Sequence, residues 1–92
     1  MTKSQLIEAL AKAEGITLRA AEVAVNVTFE SMEKALMQGD RVEIRGFGSF
    51  KVKTYDGYKG RNPKTGELIE VRPKRLPFFK VGKELKERVD KH

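Results

Sequence analysis

Apolar residues recur at helical spacing through the first part of the chain and at every second position after residue 40. The helical half opens on a capping box, in which Thr2 accepts from the backbone N–H of Gln5 and Gln5 reaches back to Thr2. Leu6, Ile7, Leu10 and Ala11 then follow a period near 3.6. Gly15 supplies the left-handed stop and Thr17 the next cap. The second helix is expected from Leu18 to Gln38, with Leu18, Ala21, Val25, Phe29, Met32 and Leu36 on one stripe and Ala24, Val27 and Ala35 beside it. Gly39-Asp40 ends it.

The period then drops to two. Arg41 to Arg45 and Phe50 to Lys53 alternate strictly around the tight turn Gly46-Phe47-Gly48, which predicts a hairpin. Val42, Ile44, Phe50 and Val52 face the helices in this reading, and Glu43, Lys51 and Lys53 face away, leaving a basic open sheet face as the first candidate binding surface. Residues 54–75 carry few apolar side chains and centre on Asn62-Pro63 followed by Thr65-Gly66, which is strong turn chemistry. Two flanking strands of about eight residues would make a ribbon on the order of 27 Å long at ~3.4 Å per residue. Such a ribbon has no core of its own, and is expected to be mobile when free and to order on a partner. Residues 76–81 return as a short strand that Pro77 marks as an edge, and Gly82 opens a last helix, 82–91, with Leu85 and Val89 one turn apart and Lys83, Lys86 and Arg88 on its solvent side. The division expected is one domain over 1–92: a helical base 1–40, a sheet from 41–53 and 76–81, an arm 54–75 and the last helix.

At 92 residues without cysteine, no disulfide or thiolate metal site braces the chain. The stripe on the second helix is wider than one short helix covers, which argues burial on more than one side. A second subunit is the expected cover, the alternative being that the chain's own sheet does all the covering. No apolar run approaches the ~18 residues that span a bilayer, and Met1 to Ser4 lead straight into the amphipathic pattern, so a soluble intracellular protein is expected. Charge is segregated: residues 1–40 hold four basic and six acidic side chains, residues 41–92 fifteen and seven, within a net charge of +6. The second half therefore carries a surface for a polyanion, either nucleic acid or an anionic membrane.

No constellation of nucleophile, base and orienting group stands out, no cofactor is implied, and His92 has no partner at metal-ligand spacing. Gly46-Phe47-Gly48 is too short for a phosphate-cradling loop and precedes a strand. A nuclease would need carboxylates grouped around a metal, and none are evident. An RNA-binding sheet would display stacking aromatics, whereas those here fall in core-like positions except Tyr55 and Tyr58. The arm tip, with Lys59, Arg61 and Lys64 around Pro63, admits two readings: a solvated turn, or a rigid apolar wedge that loses almost no side-chain entropy on insertion between base pairs.

Three stretches carry a family resemblance: Gly46-Phe47-Gly48-Ser49-Phe50, Gly60-Arg61-Asn62-Pro63-Lys64-Thr65-Gly66, and Pro77 through Lys86. In this order they resemble the bacterial HU and integration host factor family of histone-like proteins, over essentially the whole chain from Thr2-Lys3 to Val89. The resemblance implies an α+β fold forming an intertwined dimer, with a helical base, a β-sheet saddle and long β-hairpin arms. Its function would be architectural: minor-groove and phosphate binding of double-stranded DNA in the bacterial nucleoid, hence in the cytoplasm, with bending by a proline wedge. It implies no enzyme activity and no membrane partner.

By the same resemblance, Pro63 sits at a kink with Arg61, Asn62 and Lys64 lining the groove. Lys53, Lys59, Arg72, Lys74 and Arg75 follow the phosphates. The helix starts at Lys3 and Ser4 and at Gly82 and Lys83 offer backbone N–H groups to phosphates, which fits the affinity of helix N-termini for anions. Lys86 adds to the DNA-binding set, and Phe29, Phe47, Phe50 and Phe79 match the dimer core. The run Arg41 to Phe50 is similar to the beta subunit of integration host factor, where a glutamate orients an arginine, and Glu43 and Arg45 match those positions; the alternative for Glu43 is a cross-strand charge pair. Tyr55-Asp56-Gly57-Tyr58 departs from the family's more basic arm base, and Asp56 near phosphates would weaken wrapping or turn it outward there. HU-like and integration-host-factor-like roles, and homodimer and heterodimer, remain open at this point.

Overall fold

The computed structural model describes residues 1–91; the reading of His92 lies outside them. Two helices form the base, α1 (Lys3–Glu14) and α2 (Leu18–Met37). The capping box closes in both directions, with Gln5 N–H donating to Thr2 Oγ1 at 3.2 Å and Thr2 N–H to Gln5 Oε1 at 2.8 Å. Gly15 ends α1 at φ 62°, a conformation that costs a side-chain-bearing residue more than glycine. Thr17 Oγ1 then accepts from Ala20 N–H at 3.0 Å to start α2.

A three-stranded antiparallel sheet follows, in the order β1 (Val42–Ile44), β2 (Gly48–Tyr55), β5 (Lys74–Val81). Pro77 lies on β5, an edge strand, where its missing N–H leaves no gap in a central ladder. β1 is shorter than the alternation predicts, because Arg45 already belongs to the turn that Phe47 N–H closes onto Ile44 O at 2.9 Å. Beyond the sheet, β3 (Tyr58–Arg61) and β4 (Leu68–Val71) form a separate two-stranded ribbon, and α3 (Lys83–Asp90) ends the described chain.

The expected long ribbon is thus interrupted. Pairing runs to Tyr55 opposite Lys74, stops, and resumes at Tyr58 opposite Val71. Asp56-Gly57 and Arg72-Pro73 are the unpaired residues, and Pro73 has no N–H to give. The sheet itself reaches further along both strands than 53 and 76. The arm gives the chain principal extents of 61 × 33 × 26 Å and a radius of gyration of 19.4 Å, against about 12 Å for a compact chain of this length.

The core of the isolated chain is small. Only Ala11, Ala21 and Val25 are buried hydrophobics among the described residues, while Leu18 remains 60%, Val27 54% and Phe29 48% exposed. Phe29, Met32, Leu36 and Met37 of α2 face Phe50, Val52 and Pro77 of the sheet across an open apolar groove of about 550 Å³. Phe79 lies between Phe47 and Phe50, with ring centroids 5.6 and 4.7 Å away. Burying one phenylalanine stabilises by about 1.5–3 kcal/mol relative to exposure. Several such rings left half-open are a large fraction of the roughly 5–15 kcal/mol that holds a domain together. Covering by the chain's own sheet is therefore incomplete, and the groove and ring cluster stay open in the single chain.

Candidate nucleic-acid interface

Strand alternation decides which side chains share a surface. Phe50, Val52 and Pro77 turn toward α2, so Lys51, Lys53 and Phe78 project from the opposite side of the sheet. The side-chain distances agree: Lys53 Nζ lies 3.6 Å from the centroid of the Phe78 ring, and Lys51 Nζ 5.9 Å from it. One step along, Tyr55 opposes Lys74, whose Nζ is 5.8 Å from the tyrosine ring. Phe78 thus joins Tyr55 on the outer face, although the sequence reading put every aromatic except Tyr55 and Tyr58 in a core-like position. The signal was available: Phe78 and Phe79 are adjacent on a strand and cannot point the same way.

The interruption at the arm base does not shift this pattern. Asp56-Gly57 and Arg72-Pro73 are two residues on each strand, so the register resumes without a slip. Lys59, Arg61 and Glu70 share one side of the outer ribbon, in register with Lys51, Lys53 and Lys74, and Arg72 lies in the break between them. Tyr58, Gly60, Ile69 and Val71 occupy the other side, where the Tyr58 ring lies against Gly60. Asp56 lies in the unpaired break and is exposed.

Arg75 differs from its neighbours. It lines the apolar groove with Phe29 and Leu36, and its guanidinium lies 3.5 Å from where a Cβ on Gly39 would stand. It therefore does not share a face with Lys53 and Lys74, because it is one position out of phase with Lys74.

The tip is braced by its own hydrogen bonds. Asn62 N–H donates to Glu67 O at 2.8 Å, and Gly66 N–H to Asn62 O at 2.7 Å. Asn62 Oδ1 accepts from Lys64 N–H at 2.8 Å, an Asx turn that brackets Pro63. Arg61 reaches across to Gly66 O at 3.3 Å, and Gly66 adopts φ 71°. Pro63 and Lys64 remain exposed. Asn62 thus braces the tip itself.

At the other end, Gly82 N–H donates to Phe47 O at 2.8 Å, which seats the β1–β2 turn and Arg45 beside the start of α3. Gly82 is consequently not itself a free donor for a phosphate; the first-turn N–H groups of Lys83, Glu84 and Leu85 have no side-chain cap. At α1, Thr2 takes the Gln5 N–H and leaves those of Lys3 and Ser4. Lys86 is exposed on α3. Glu43 pairs with Arg41, the residue just before β1, at 3.4 Å, and neither with Arg45 nor across the sheet. No helix among the described residues is long and apolar enough to cross a membrane.

Residues 1–90 match the family model described as bacterial DNA-binding protein. The chain is 51% identical to integration host factor subunit beta of Ralstonia nicotianae, over 99% of this chain and 67% of that one. It is 52% identical to the subunit of the same name from Pseudoalteromonas atlantica, over 98% and 95%. Among solved structures it superposes on the Anabaena HU–DNA cocrystal structure with a TM-score of 0.85 and 35% identity over 100% of both chains. On HU from Thermotoga maritima the TM-score is 0.70, with 31% identity over 97% and 98%.

Proposed function

The chain belongs to the bacterial DNA-binding protein family, and we infer how it acts as an architectural protein that binds and bends double-stranded DNA alongside a similar subunit. The two subunits intertwine through the groove between α2 and the sheet and through Phe29, Phe47, Phe50 and Phe79. The sheets form the saddle, and each arm follows the duplex into the minor groove. Lys53, Lys59, Arg72 and Lys74 meet phosphates along one side of the ribbon. The braced tip then sets Pro63 between base pairs, with Arg61 and Lys64 beside it. The chain acts as one domain of base, sheet, arm and last helix, with the sheet running out to Tyr55 and back from Lys74.

The observation that carries this reading is the unbroken register across the arm base, which keeps the cationic side chains in phase from the sheet to the tip. Bending a site by tens of degrees costs about 1–6 kcal/mol, which the arm's interactions with the duplex offset. Flexible pyrimidine–purine steps and nicks should therefore be preferred even without base contacts. Identities of 51–52% to integration host factor beta subunits, against 31–35% to the HU chains, favour the integration-host-factor branch. The protein works in the nucleoid, within the cytoplasm, and its role ends at binding and bending, without catalysis.

Pro63→Ala tests the wedge. The bend measured by fluorescence transfer between duplex ends should fall more than the affinity does. An unchanged bend would remove Pro63 from this role.

A further inference from the structure

Lys51, Lys53 and Lys74 project from the outer face of the sheet, and each has an aromatic ring of the neighbouring strand nearby. Phe78 serves Lys53 at 3.6 Å and Lys51 at 5.9 Å, and Tyr55 serves Lys74 at 5.8 Å. No carboxylate lies within ion-pair distance of these lysines: the ion pairs among the described residues are Arg19–Glu22, Arg41–Glu43 and Glu84–Arg88. The difference matters chemically. A carboxylate would fix a lysine but cancel its charge, and a phosphate would have to displace it. An aromatic face attracts the ammonium through its quadrupole and leaves the full positive charge. It also takes only one side of a group with three donors, so the others stay available.

We propose that Phe78 is a positioning residue for DNA binding: its ring holds the Lys53 ammonium, fully charged, on the floor of the saddle, so that the lysine meets a phosphate with its side chain already ordered. This rests on the DNA-binding reading above. Lys53 is half-buried although lysine is a long, strongly hydrated side chain, whereas Phe78 keeps 37% of its surface exposed. Phe78 fills no core space that the aromatic cluster needs, because Phe79, Phe50 and Phe47 complete that cluster on the opposite face. A free lysine gives up rotamer entropy when it is fixed. The ring removes part of that loss before the duplex arrives.

The test is a double-mutant cycle on a fluorescein-labelled duplex, with affinity read by anisotropy over a series of salt concentrations. Lys53→Ala should weaken binding and flatten the salt dependence, by about 0.9 in slope for each phosphate no longer neutralised. Phe78→Leu should weaken binding about two- to five-fold for each copy of the chain on the duplex, the change that one exposed cation–π interaction corresponds to. In the Lys53→Ala background Phe78→Leu should have an effect below about two-fold, and Phe78→Trp should bind like the original chain. Equal weakening in both backgrounds, or unchanged or tighter binding by Phe78→Leu, overturns the proposal. A second measurement needs no variant. The Lys53 ε-methylene protons should show an upfield ring-current shift in the free protein that persists when duplex is added; disappearance of the shift on binding overturns the proposal. If the original chain itself fails to bind the duplex, the functional reading above is what falls.

Discussion

Gly57 faces Pro73 across the break in the arm: a Cβ added to Gly57 would stand 2.8 Å from Pro73 Cδ and 2.6 Å from Val71 O. The two residues explain the break together. Pro73 removes a ladder donor, and only a residue without a side chain lets the opposite strand pass its ring closely enough for pairing to resume at Tyr58.

Gly57→Ala should therefore disturb the outer arm and leave the base intact. The expected outcome is a thermal midpoint within a few degrees of the original, together with weaker DNA bending. Amide exchange at Tyr58–Arg61 should accelerate while that of α2 stays unchanged. Slow exchange throughout the arm of the variant would contradict the role given to this close approach.

Asn62→Ala removes the acceptor that brackets Pro63, a hydrogen bond worth about 0.5–1.5 kcal/mol. Nuclear magnetic resonance of the free variant should show a tip with several conformations, and the bend should shrink with Pro63 still present. Asn62→Asp keeps the acceptor but adds a negative charge. It should hold the tip in one conformation and bind DNA more weakly.

Gly48→Ala drives a methyl group against Phe79, whose ring atoms lie 2.6 and 2.7 Å from the Cβ position, and against Lys80 O at 2.5 Å. Overpacking of this kind costs about 1–3 kcal/mol. Denaturant titration at fixed protein concentration should show a lower midpoint, and sedimentation should show a weaker dimer, because the same ring belongs to the aromatic cluster.

Lys74→Ala and Arg75→Ala distinguish the two sides of β5. Removing Lys74 should weaken DNA binding and lower the salt slope. Removing Arg75, which lines the groove beside α2, should act mainly on dimer stability. Equal effects of both substitutions on the salt slope would place Arg75 among the phosphate-binding residues instead.

Local chemistry was legible in the sequence wherever one short segment sufficed. Thr2 with Gln5, Gly15 and Thr17 set the helix ends by hydrogen bonds and backbone angles that span only a few residues. The change of period after Asp40 announced the sheet, and Pro77 announced its edge, since a missing N–H is tolerated only where no neighbour needs it. The wide apolar stripe on α2 already required a cover beyond a single helix.

What the tertiary structure alone decided is the phase of one strand against another. The charges of Lys74 and Arg75 are visible in the sequence, but their faces depend on the register of β5 against β2, which sets Lys74 opposite Tyr55 and Arg75 opposite Thr54. The same register sets Phe78 beside Lys53. Glu43 likewise pairs with Arg41 and not with Arg45, a choice between two flanking arginines that the alternation leaves open. Hydrogen-bond registry joins residues far apart in the chain, and no periodicity within one segment carries that information.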